Sequence, residues 1–178
     1  MVIQTMSSMA AQKTPAGVTI THPNREKAVV QGTRATVILL LLVSVGLLLI
    51  ITIGGWDVLL GASIALQLAF VLAFLLLAFY AGRWNRGVLP VSSGLAVLLI
   101  VFALTGASAW FNRDGAGFTQ PALNASLLGL LTLLLVPVQI LLITFAMRGF
   151  QQGWNVELEQ RVASGGDGDY GDPTPHPA

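Results

Sequence analysis

Four long apolar stretches, none interrupted by a charged residue, constrain this chain more than anything else in it. They run over 35–53, 58–80, 88–110 and 123–147, between 19 and 25 residues each. A hydrocarbon core about 30 Å thick takes roughly 20 residues of helix at about 1.5 Å per residue. Inside that core every backbone N–H and C=O must find a partner within the protein, so runs of this length cross as helices. The expected fold is all-α: an integral membrane four-helix antiparallel bundle over 35–155. It is flanked by polar tails, 1–34 and 156–178, expected to be mostly disordered.

The remaining residues exclude several classes. Charged residues make up only 10% of the chain against 54% hydrophobic, where a soluble domain carries about a quarter charged. Two tails and three connections leave no room for a separate soluble domain. A formal net charge of +1 argues against a nucleic-acid partner, which needs a basic patch. With no cysteine, disulfides, thiolate metal sites and iron–sulfur clusters are excluded. Arginine outnumbers lysine, and with the abundance of Ala, Gly, Leu and Val this points to a GC-rich bacterial genome. No short apolar region with a cleavage site precedes the first span, which is expected to be an uncleaved first helix.

Orientation is expected from the basic residues. Lys13, Arg25, Lys27 and Arg34 lie before the first span, Arg83 and Arg86 between the second and third, and Arg148 and Arg161 after the fourth. Arg113, between the third and fourth, is the only one on the opposite side. Both termini are therefore expected in the cytoplasm of a bacterial cell, with Tyr80, Trp84 and Trp154 at that interface and Trp56 and Trp110 at the other. Asn24 is expected to cap a short interfacial helix, and Asp57 to cap the second span at the positive end of its dipole.

Catalytic chemistry finds little support. The spans hold no ionisable residue, which coupled pumps usually require. His22 and His176 both lie in the tails, so no haem, metal or other cofactor is expected. The serines within the spans have no neighbouring base to activate them. The chain is not expected to be an enzyme.

Three groups of residues remain as candidates. Gln67 and Gln139 are the strongest polar groups at membrane depth, and each needs a hydrogen-bond partner. They are expected to bond each other across the second and fourth helices, or to offer a polar contact to a lipid, a quinone or water. Pro137 lies two residues before Gln139 and removes the bond to the Leu133 carbonyl, so a kink is expected there. Gly61, Ala65, Ala69 and Ala73 recur every four residues on one face of the second helix, a stripe that lets helices approach closely. Packing inside the bundle is the preferred reading, a partner interface the other. Ala103 and Ala107, and Ala125 and Gly129, form shorter versions. Finally, Arg83, Trp84, Asn85, Arg86, Arg148, Gln151, Gln152, Trp154 and Asn155 are expected to form a cytoplasmic rim that anchors to headgroups or docks another subunit.

These features lead to a non-catalytic accessory, scaffold or assembly subunit of a larger membrane complex. The expected partners are the lipid bilayer and either other membrane subunits or further copies of the chain. The alternative is an oligomeric channel or transporter for a small neutral or apolar molecule.

Overall fold

The computed structural model describes residues 13–14, 18–21, 27–113, 117, 119, 121–154 and 158–161. Its main unit, Pro23–Val156, is a helical bundle. Helix α1 spans Ala28–Gly54, α2 Gly61–Gly82, α3 Val88–Asn112 and α4 Ala125–Gln151. All four are long and apolar enough to cross a membrane. Helix α1 packs against α2 on one side and α4 on the other; α4 in turn packs along α3. The ring closes only lightly between α2 and α3, where Phe70 meets Phe102 edge to face at 6.0 Å between centroids.

The buried positions follow a coiled-coil period. On α4 they fall at Ala125, Leu128, Thr132, Leu135, Gln139, Leu142, Ala146 and Gly149, alternating steps of three and four. Helix α1 presents Val30, Thr33, Val37, Leu41, Ser44, Leu48 and Ile51, also in steps of three and four. Small residues set how closely the helices approach. Ala96, Ala103 and Ala107 of α3 are buried, as are Ala125, Gly129 and Ala146 of α4. A Cβ added at Gly129 would stand 2.9 Å from the Phe111 ring.

Several helix ends differ from expectation. Helix α1 begins at Ala28, seven residues early, because Val30 and Thr33 extend its buried stripe toward the N-terminus. Lys27 holds its N-cap position, and Asn24 lies outside the described residues. Asp57 does not cap α2. A helical turn places the Val58 and Leu59 N–H groups on the Gly55 carbonyl, and α2 starts only at Gly61, with exposed Asp57 left in the connection. The side-chain cap belongs instead to α4, where Asn124 Oδ1 accepts from the N–H groups of Ser126 (2.9 Å) and Leu127 (3.3 Å). Helix α4 runs on through Pro137 as one helix.

Short stretches of both tails are extended. Lys13–Thr14 (β1), Val18–Thr21 (β2) and Leu158–Arg161 (β3) form an antiparallel sheet in the order β1-β2-β3. Val18 pairs with Arg161 and Thr21 with Leu158, which brings the two tails together. The sheet belongs to a second compact unit made of 1–22 and 157–178. Four successive β-branched residues in β2 favour an extended chain over a helix.

Candidate functional site

The two ends of the bundle are built differently. At the terminal end, where α1 begins, α4 ends and α2 turns into α3, a clasp of arginines and tryptophans closes the bundle. Helix α2 finishes in a Schellman turn: Trp84 N–H bonds the Ala81 carbonyl and Asn85 N–H the Tyr80 carbonyl, both at 3.1 Å. The left-handed position of that turn usually falls to glycine, yet Trp84 occupies it at φ 62°. Arg34 of α1 donates through Nε to the Ala81 carbonyl at 3.1 Å and through Nη2 to the Gly82 carbonyl. Its charge meets the negative end of α2, and its guanidinium lies 4.3 Å from the Trp84 ring centroid. Trp84 in turn meets Trp154 edge to face, 5.8 Å between centroids.

The clasp reaches α4 by two further routes. Arg86 donates to the Phe150 carbonyl at 2.7 Å and lies 4.2 Å above the Phe150 ring. Gln152 Nε2 donates to Thr33 Oγ1 at 3.1 Å, and Trp154 Nε1 donates to Gln152 Oε1 at 3.4 Å. Trp154 is fully buried and seated on Gly149, where a Cβ would fall 2.9 Å from its ring. Of the expected rim, the clasp uses Trp84, Arg86, Gln152 and Trp154. Arg83, Asn85, Arg148 and Gln151 are exposed around it, and Asn155 lies outside the described residues. Arg34, Thr33 and Phe150 were not foreseen. In the sequence Arg34 is an orientation signal, and nothing local marks it as the cap of another helix.

The two glutamines do not meet. Helices α2 and α4 sit on opposite sides of α1, and each glutamine finds its partner there. Gln139 Nε2 donates to Ser44 Oγ at 2.8 Å, while Ser44 donates to the Leu40 carbonyl at 2.8 Å. Both side chains are fully buried, and Gln139 Oε1 has no hydrogen-bond partner among the described residues. Eight residues along α1, Thr52 Oγ1 lies 2.6 Å from Gln67 Oε1 and 2.7 Å from the Leu48 carbonyl. Pro137 belongs to neither arrangement and is exposed on the outer face of α4.

The stripe on α2 does not pack inside the bundle. Gly61, Ala65 and Ala69 are exposed and Ala73 is half-buried; nothing lies within 4 Å of a Cβ built at Gly61. The buried face of α2 is formed by Phe70, Phe74, Leu77, Ala78 and Ala81, rotated away from the stripe.

At the far end, the loose seam between α2 and α3 opens into a cavity of about 330 Å³. Leu48, Leu99 and Leu135 form its inner wall, with Trp110 and half-buried Val58 and Leu59 toward the far-end connection. Exposed Leu66, Phe102 and Thr105 stand at its mouth, on the side that faces lipid. The cavity's polar groups are Ser63, Gln67, Thr105, Thr132 and, at the edge, Arg113. Among the described residues no three His, Cys, Asp or Glu side chains gather into a metal-binding group.

Comparison with protein-family models, with curated proteins and with solved structures gives no match to this chain. The fold and its sites define a multi-pass membrane protein.

Proposed function

We propose that this protein is a non-catalytic accessory or assembly subunit of a larger membrane complex, and that it meets its partner through the outer face of α2. One observation carries the reading: Gly61, Ala65 and Ala69 face outward from the least buried helix. Lipid offers no hydrophobic drive for helices to associate, so contact in a membrane depends on close backbone approach, which small residues permit. The expected orientation, with both termini in the cytoplasm of a bacterial cell, would place the arginine clasp among anionic headgroups.

The test is purification in mild detergent from the native host, with co-purifying proteins identified by mass spectrometry. A stoichiometric partner that is retained by the wild type and lost on Ala65→Leu with Ala69→Leu supports the reading. Recovery of this chain alone, or a partner indifferent to the substitutions, refutes it. The chain has no native cysteine, so single cysteines introduced at Arg148 and Arg113 would report the side of each end by labelling.

The cavity favours a second reading, an oligomeric channel or carrier for a small neutral or apolar molecule. Within one chain the terminal half is filled by Gln139, Leu142 and Trp154, so a continuous path would have to run between copies. Reconstituted vesicles with no flux above empty controls across a broad solute panel would count against it.

A further inference from the structure

We propose that the outer flank of α2 at the terminal end is a binding site for one anionic phospholipid, with Arg83 holding its phosphate. This inference does not depend on a protein partner at Gly61, Ala65 and Ala69, which occupy the far half of the same helix. The arginines of the terminal end are spent unequally. Arg34 donates to the Ala81 and Gly82 carbonyls, and Arg86 to the Phe150 carbonyl. The exposed Arg83 side chain makes no hydrogen bond among the described residues. Its guanidinium lies 5.6 Å from the Phe79 ring centroid, a contact that leaves the whole planar fork of donors unspent. That fork matches two oxygens of a phosphate.

The surroundings select the occupant by charge and by length. The C-terminal end of a helix ordinarily repels an anion, but here Arg34 already sits on the carbonyls of that end. Among the described residues of the bundle the one carboxylate is Asp57, in the connection at the far end. A choline headgroup would bring a second cation to this cluster, whereas a glycerol headgroup leaves the phosphate charge to the arginines. The Tyr80 hydroxyl, one turn before Arg83, also makes no hydrogen bond among the described residues and can donate to the same phosphate. Below these groups Leu72, Leu76 and Phe79 are exposed on the same face, in steps of four and three. From Leu72 to Arg83 the helix rises about 16 Å, close to one leaflet of a hydrocarbon core about 30 Å thick. An acyl chain anchored at Arg83 would therefore lie along this stripe for its full depth.

The experiment titrates the full chain, purified in mild detergent, with dioleoyl phosphatidylglycerol or dioleoyl phosphatidylcholine and counts retained lipids by native mass spectrometry. The expected result is saturable retention of phosphatidylglycerol, with phosphatidylcholine held several-fold more weakly. Arg83→Ala should weaken phosphatidylglycerol by about fivefold, the factor one basic residue supplies at an anionic surface. Tyr80→Phe, which removes only a hydroxyl, should weaken it by about threefold. Arg148→Ala is the control: Arg148 is equally exposed, but on α4 and without a stacked ring, and its loss should leave retention unchanged. Glycerol phosphate, the headgroup without its chains, should fail to displace the lipid. Equal retention of the two lipids overturns the proposal, and so does an equal loss in Arg83→Ala and Arg148→Ala, which would mean general attraction to charge. Displacement by glycerol phosphate alone would remove the role of the apolar stripe and overturn it as well. So would the loss, in Arg83→Ala, of a co-purifying protein in place of lipid.

Discussion

The two ends of this bundle solve the same problem with different materials. At the terminal end, Arg34 and Arg86 bond backbone carbonyls of neighbouring elements, and Trp84 and Trp154 fill the space between them. Long side chains tie α1, the α2–α3 turn and the end of α4 into one unit. At the far end, among the described residues, few polar groups reach between elements: Thr52 Oγ1 lies 2.6 Å from Gln67 Oε1 and the Leu123 N–H donates to the Gly54 carbonyl at 3.1 Å, and the rest is close contact, Gly54 against Leu123, Gly55 against Trp110, and Gly129 against Phe111. There α2 and α3 diverge and leave a cavity. Polar groups that reach across helices lock geometry, whereas apolar packing in a membrane holds only where the surfaces fit. The locked end is therefore suited to anchoring and the loose end to admitting a ligand.

The comparison is tested most severely by one substitution at each end. Trp154→Ala removes a fully buried indole and should cost about 3–5 kcal/mol. Trp56→Ala, at an exposed far-end position, should stay within about 0.5 kcal/mol. Reversible unfolding in mixed micelles measures both, and similar losses at the two ends would remove the distinction.

A smaller effect separates the inner small-residue seams from the outer stripe. Gly149→Leu drives a side chain into Trp154 and Leu89, and overpacking of this kind costs about 1–3 kcal/mol. Ala65→Leu projects into space outside the bundle and should leave unfolding within about 0.5 kcal/mol of wild type. Equal destabilisation by the two would show that the stripe packs internally after all.

How much of this was legible in the chain depends on what a membrane hides. The spans are plain because a run such as 88–110 carries no charge, and lipid requires such a run to satisfy its backbone as a helix without saying which face turns inward. In a soluble helix, polar residues mark the outer face. Here Leu130, Leu134 and Leu141 are exposed and Leu128, Leu135 and Leu142 buried, on the same helix with the same side chain. That is why the sequence favours internal packing for the stripe on α2, and why it points Gln67 to Gln139 in place of Thr52. The clasp was legible as a cluster of Trp and Arg near one interface, but Arg34 as a cap for α2 depends on a contact 47 residues along the chain. The cavity had no sequence signal, since it arises from the divergence of two helices. The strand at Val18–Thr21 did have one, its unbroken β-branched run.

The smallest expected effects concern Gln139, and here the sign matters more than the size. Ser44→Ala removes the only hydrogen bond the Gln139 side chain makes to a described residue and leaves the whole buried amide unpaired. That should destabilise the bundle by about 0.6–1.7 kcal/mol, the span found for hydrogen bonds between membrane helices. Gln139→Leu removes the same bond but also removes the unpartnered Oε1, and Ser44 keeps its bond to the Leu40 carbonyl. Replacing a poorly satisfied polar group with an apolar one of similar size is close to neutral. Unfolding measurements should therefore rank Ser44→Ala below Gln139→Leu in stability. The reverse order would mean that Gln139 Oε1 has a partner of its own, a bound water in the core of the locked half, and that this half is less dry than its packing implies.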